Sequence, residues 1–436
     1  MNIHELYESK KSSPDEMIKA VKSGDVIMTG GNPVLLHKAL YDHRENFRDV
    51  KMYAQFNLNG TSKDYIHSPE MMDRVSFTCT TLALHSITNI WPTDNFDQIS
   101  LSFSGMERLI EKIRPNIVLL SAYPMDEDGY LNLGCNHGCT RVAIDNGARV
   151  FAQINENMYD AYTDYYRVHI SEVEGLFESV NPKENPVPMN RDIGEIDKQL
   201  AAHIVERIPN GATIQLGAGG ASNAVGAFLK GHRDLGVHAE TIMDSMMDLI
   251  DTGVINNSKK PIFPGKSVIG FISGTPAMMS YVHNNKDVIL KRLSWVNDPH
   301  VIGQLPNVVS MNAVLAADLR GQVCSESLAL GNTGGIGGQL DFTEGARRSP
   351  GGQSFLVMHS SVTTRDGEKV SKITLSLPRG SVVTNPASEV MNIVTEYGVA
   401  EMWRKSAKER AQNLIRIADP EFRETLTFEA KKAGLI

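Results

Sequence analysis

The chain opens twice in the same way, and this repeat constrains its fold more than any other feature. Ser13-Pro14-Asp15-Glu16 carries the side-chain cap and early acid of a helix start, Ser23-Gly24 ends that helix, and Asp25–Thr29 is an apolar run of strand length. Gly30-Gly31-Asn32-Pro33 then turns into a second helix near Leu35–Leu40. From residue 193 the order returns. Ile193, Ile196, Leu200, Ile204 and Ile208 form an apolar stripe at spacings of three and four, and Pro209-Asn210-Gly211 breaks it. Ala212–Leu216 reads as a strand, and Gly217-Ala218-Gly219-Gly220 turns into a helix near Asn223–Leu229. Helix, glycine break, strand, glycine turn, helix: the two halves read as a weak internal duplication.

Further buried-strand candidates are Ile117–Ser121, Arg149–Ile154, Ser267–Ile272, Val308–Met311, Ser354–Met358 and Val382–Val383. Short apolar strands between helices require mostly parallel sheets covered on both faces. The expected fold class is therefore α/β, in two related open domains. At 436 residues the chain is too long for one core. Asn181–Asn190 holds three prolines in ten residues, which resist both helix and central strand. It divides the chain into a domain over 1–180, a linker over 181–190 and a domain over 191–436.

Hydrophobic residues at 41% and charged residues at 22% fit a globular protein. The net charge of −8 argues against nucleic acid or membrane surfaces as partners, since both demand basic patches. A polyanionic small molecule stays compatible, because helix N-termini and a few cations hold phosphates. The first residues lack a basic segment followed by an apolar one, and no apolar run approaches 18 residues, so the expected location is cytoplasmic. The four cysteines, Cys79, Cys135, Cys139 and Cys324, suit a reducing compartment. Cys135-Asn136-His137-Gly138-Cys139 has metal-like spacing without a second ligand pair, so no metal is expected.

Four segments have the composition of a working site. Gly217, Gly219 and Gly220 lie between a strand and a helix, where a ligand approaches bare backbone. Glu240 follows the short strand of Gly236-Val237-His238-Ala239, at the end where open α/β sheets place ligands. A carboxylate there can act as a nucleophile, although by residue type alone a loop acid is the commoner role. Five glycines fall within Gly331–Gly338, and their N–H groups are suited to an oxyanion or thioester carbonyl. Val394-Thr395-Glu396-Tyr397-Gly398-Val399-Ala400-Glu401 reads alone as a turn before a C-terminal helix.

Taken together, in this order and spacing, the segments resemble the acetyl-CoA hydrolase/transferase family, whose members include the 4-hydroxybutyrate and butyrate CoA-transferases. Gln215-Leu216-Gly217-Ala218-Gly219 resembles the family's CoA-binding loop, and Leu235–Glu240 the segment with its catalytic glutamate. Gly334–Phe342 resembles its glycine-rich site loop, and Val394–Ala400 a C-terminal signature. A weaker similarity lies at Ser121–Gly129. The likeness spans nearly the whole chain and is densest from 211 to 402.

The resemblance implies CoA thioesters as substrates, with no permanently bound cofactor, small carboxylates as co-substrates and a homo-oligomer, either a dimer or a dimer of dimers. It implies Glu240 as nucleophile, Gly337 and Gly338 as oxyanion donors, and CoA contacts at Gln215, Leu216, Gly217, Ala218, Gly219, Leu315 and Gly338. The sequence departs from the family at Gly220-Ala221-Ser222, where Ile-Pro is common, and at Met243-Asp244-Ser245, where Ser-Asp-Gly is usual. A frequent lysine is replaced by Thr363 or Thr364. These changes touch the acyl pocket and one CoA contact, so the acids exchanged can differ from those of better-known members. The nearest alternatives are an acyl-CoA hydrolase using the same glutamate and a non-covalent nucleotide-binding module. Were Glu240 dispensable, the nucleophile would fall to Glu326 or Glu396.

Overall fold

A computed structural model describes residues 2–56, 58, 60–81, 95–134, 137–179, 192–272, 274–328, 331–332 and 334–436. The chain divides into two units, Met1–Pro186 with Gly270–Trp295, and Val187–Ile269 with Val296–Ile436. The proline-rich stretch over 181–190 lies outside the described residues, as does Cys135.

In the first unit a seven-stranded sheet runs in the order Phe96–Gln98, Val75–Thr81, Val50–Phe56, Val26–Gly30, Ile117–Ala122, Arg149–Asn155, Val173–Ser179. Each neighbouring pair is parallel. Ile117–Ala122 is buried at every position, as a central strand covered on both faces must be. Ile27, Leu36, Leu40, Met52, Phe77 and Leu119 belong to the core that forms around the sheet.

The second unit winds its sheet the same way. Its strands run Ser267–Ile269, Gly236–Ala239, Thr213–Leu216, Val308–Ala313, Gln353–Val357, Asn392–Thr395, with Gly398–Glu401 added antiparallel at the edge. The correspondence with the first unit is direct. Val26–Gly30 pairs on one side with the next strand, Val50–Phe56, and on the other with the later Ile117–Ala122. Thr213–Leu216 does the same with Gly236–Ala239 and Val308–Ala313. The intervening helices are Val34–Asp42 and Gly220–Phe228. The duplication legible in the two openings is thus a shared winding order, with strand order reversing at the first strand of each unit.

Three residues of the apolar stripe, Ile196, Leu200 and Ile204, lie on the helix Glu195–Val205, which buries the last two, while Ile193 and Ile208 fall outside its ends. One strand expectation fails. Val382 and Val383 belong to no strand and are exposed, because Gly380 and Pro386 bound the pair too closely for a ladder. The closing strands instead form the hairpin Asn392–Thr395 and Gly398–Glu401, and the signature at Val394–Glu401 is that hairpin. Among the described residues, no helix is long and apolar enough to cross a membrane. Cys79, Cys139 and Cys324 are buried thiols.

Candidate active site

Glu240 lies immediately past the carboxyl end of Gly236–Ala239, the strand that pairs with Thr213–Leu216. The loop Gly217–Gly219 leaves the neighbouring strand at the same edge, so the two segments are brought side by side by the parallel register Thr213↔Gly236 and Ile214↔Val237.

Two groups from elsewhere in the unit reach the Glu240 carboxylate. The side-chain amide of Asn297 donates from Nδ2 to Oε1 at 3.3 Å. The backbone N–H of Gly338 donates to the carboxylate as well. Asn297 precedes Asp298, the N-cap of the helix Pro299–Gly303, and Gly338 is the N-cap of the helix Gln339–Arg348. These helices approach closely because Gly345 admits Ile302: a Cβ at Gly345 would fall 2.5 Å from Ile302 Cβ. The two donors therefore sit on one packed frame.

At Gly338 the fit is tighter still. A Cβ built there would lie 1.8 Å from Glu240 Oε1 and 2.0 Å from Asn297 Nδ2. Only glycine allows the backbone N–H and the carboxylate to meet. Gly337 turns the chain into this position with φ of 57°, in the left-handed region.

Burial pushes the Glu240 carboxyl up to about 7. The Asn297 bond works against this shift, the negative charge of buried Asp341 adds to it, and the Gly338 N–H opposes it. In its ionised form, a half-buried carboxylate with two N–H donors on it has the chemistry to act as a nucleophile, and the same donors can stabilise negative charge if its carbonyl is attacked in turn.

The glycine-rich segment is backed by a polar lattice that sequence reasoning missed. Gln339 donates from Nε2 to Ser325 Oγ at 2.8 Å and to Asn385 Oδ1 at 2.6 Å. The Ser325 N–H donates to Thr384 Oγ1 at 2.9 Å, and Thr384 in turn donates to Glu326 Oε2 at 3.0 Å. The Gly334 N–H donates to the Glu326 carbonyl at 3.2 Å. Glu326 is buried and tied into this lattice, and Glu396 accepts from the Ser360 N–H at 2.9 Å and its hydroxyl at 2.6 Å.

The other expected contact residues divide by role. The Gln215 amide is turned inward: it donates to Asn312 Oδ1 at 3.1 Å and accepts from the Met311 N–H at 3.2 Å. Leu216 is buried, whereas Ala218 is exposed at the turn. Gly217 packs against the Met311 carbonyl, 3.1 Å from where a Cβ would stand. Gly219 adopts φ of 134° in open surroundings, so conformation demands the glycine there. Leu315 follows the strand Val308–Ala313, and its N–H donates to the Cys324 carbonyl at 2.9 Å.

The chain is 33% identical over 442 residues to a 4-hydroxybutyrate coenzyme A transferase of Clostridium kluyveri, covering 99% of this chain and 100% of that one. It belongs to the acetyl-CoA hydrolase/transferase family. Residues 1–188 match the acetyl-CoA hydrolase/transferase N-terminal domain and residues 274–430 the C-terminal domain. A butyryl-CoA:acetate CoA-transferase of Anaerostipes caccae is 32% identical over 100% of this chain and 99% of its own. The crystal structure of RipA from Yersinia pestis superimposes with a TM-score of 0.91 at 31% identity, covering all of both chains. Within this family fold, Glu240 and its two donors occupy the carboxyl edge of the second unit's sheet.

Proposed function

We propose that this protein is a CoA-transferase that exchanges CoA between an acyl-CoA, with acetyl-CoA as donor, and a small carboxylate such as butyrate or 4-hydroxybutyrate. The observation that carries this reading is the placement of Asn297 Nδ2 and the Gly338 N–H on a half-buried Glu240 carboxylate.

The Glu240 carboxylate attacks the thioester carbonyl, and the C–S bond breaks to give a mixed acyl–glutamyl anhydride and the CoA thiolate. The thiolate attacks the glutamyl carbonyl, forming a glutamyl–CoA thioester and releasing the first acid as its carboxylate. A second carboxylate then attacks the glutamyl thioester, and the steps run in reverse. The thioester bond energy is conserved throughout, so no external energy source enters. Negative charge develops on Glu240's own oxygen each time its carbonyl is attacked, where the Gly338 N–H and the Asn297 amide are aimed. The bent loop Gly217–Gly219 supplies backbone for CoA, whose remote binding energy holds the reacting atoms together.

The reading belongs to the cytoplasm and to an oligomer of identical chains. Hydrolysis with the same glutamate is the second reading, favoured by the family's own inclusion of hydrolases; the difference is whether water reaches the glutamyl thioester. Incubation with acetyl-CoA, borohydride reduction and peptide mapping tests the proposal. Reduction of Glu240 to the alcohol is expected, since borohydride attacks a thioester and spares a carboxylate. CoA binding without modification by any of several acyl-CoAs would overturn it.

A further inference from the structure

His238 stands two residues before the nucleophile on the same strand, and the transfer chemistry as written does not use it. Its ring is 1% exposed. Nε2 lies 2.8 Å from the Val296 carbonyl, so this nitrogen carries the proton and donates. The next residue is Asn297, whose amide reaches Glu240 Oε1. The ring also stands against Phe342, with centroids 6.4 Å apart, and Phe342 belongs to the helix that begins just after Gly338. One imidazole thus touches the chain on either side of the nucleophile's donors. Burial, together with the nearby Lys260 ammonium, pushes its pKa down to about 3, so it stays neutral across the working range and keeps a single donor at Nε2.

We propose that His238 is a positioning residue for Glu240: its bond to the Val296 carbonyl and its packing on Phe342 fix the two segments from which Asn297 and Gly338 reach the carboxylate. The inference rests on Glu240 being the nucleophile of a CoA-transferase. A donor at the Nε2 position is what the role requires, and a glutamine amide can place one there, whereas leucine and asparagine cannot. Geometry held this way acts on the covalent steps rather than on capture of CoA, because an ångström of misplacement at a nucleophile costs about a hundredfold in rate.

The test is a double-mutant cycle on the full chain, with kcat and KM for acetyl-CoA measured in the exchange direction. His238→Leu should lower kcat at least about tenfold with KM little changed, and His238→Gln should restore most of it. In an Asn297→Ala background the loss from His238→Leu should be clearly smaller than in wild type, because one of the two groups it positions is gone. If His238→Leu does not fold, His238→Asn, too short to reach Val296, takes its place. Unchanged kcat in the leucine variant, a full additive loss in the Asn297→Ala background, or failure of glutamine to restore activity would each overturn the inference. A wild-type protein without exchange activity would instead overturn the transferase reading itself.

Discussion

The α-carbon of Gly338 lies so close to the Glu240 carboxylate that a single added methyl would stand 1.8 Å from Oε1. The contact is with the far end of a side chain, which can swing away. Gly338→Ala should therefore fold, with the carboxylate displaced and the N–H bond to it lost. A fall in kcat of about 10²-fold or more is expected, with KM for acyl-CoA much less affected. Steady-state kinetics on a variant with a wild-type melting curve provide the check, and normal turnover would remove Gly338 from the oxyanion role.

The burial of Glu240 predicts the pH response. The reactive form is the carboxylate and its pKa is near 7, so kcat/KM should rise with pH through about 7 and then level off. Asn297 donates to the ionised form and so lowers this pKa; Asn297→Ala should move the acid limb to higher pH and lower kcat by roughly 10–100-fold. A pH profile for wild type and variant decides the matter, and a limb that stays near the ordinary carboxylate range of about 4.3 would contradict the geometry.

Stability should respond in the opposite sense. Folding raises the Glu240 pKa, so the folded chain holds the proton more tightly than the unfolded one. That contribution is whole below the unfolded pKa of about 4.5 and is lost as pH rises through about 7. Glu240→Gln keeps the acceptor oxygen and never ionises. It should match wild type near pH 4 and exceed it at pH 8 by on the order of 1–3 kcal/mol, while losing exchange activity. Denaturant melts at the two pH values measure the difference.

The CoA loop offers a fourth expectation. Gly219 holds φ of 134°, a conformation costing a side-chain residue about 1–3 kcal/mol. Gly219→Ala should re-form the turn and raise KM for acyl-CoA several-fold, with kcat at saturation largely retained. A change confined to kcat would take the loop out of CoA recognition.

Much of this was legible in the sequence, and the gaps have physical causes. Strands such as Ile117–Ala122 and Arg149–Asn155 announce themselves as apolar runs, and the paired openings carry the shared winding order. Glu240 and Gly338 stand in segments whose order resembles a family. Asn297 does not: Asn297-Asp298-Pro299 reads as a helix cap, and either of its first two residues could serve. The structure gives the cap to Asp298, which accepts from the His300 N–H at 2.8 Å, and this leaves Asn297 for Glu240. Ser325, Thr384 and Asn385 are invisible for a similar reason. Small polar residues acquire a role only when a distant Gln339 is folded against them. The segment Gly270–Trp295 joins the first unit although no break in composition marks either of its ends.

The two units share a winding order but not a carboxylate at the matching strand end. The strand corresponding to the one before Glu240 is Val50–Phe56, and it runs into Asn57-Leu58-Asn59-Gly60, with no carboxylate at its end. Inheritance of the fold and inheritance of the chemistry are thus separable within one chain. On the proposed function, one copy of the scaffold is held in place by a reaction that leaves no room for a carbon at Gly338, and the matching strand end of the other is not held by that same step.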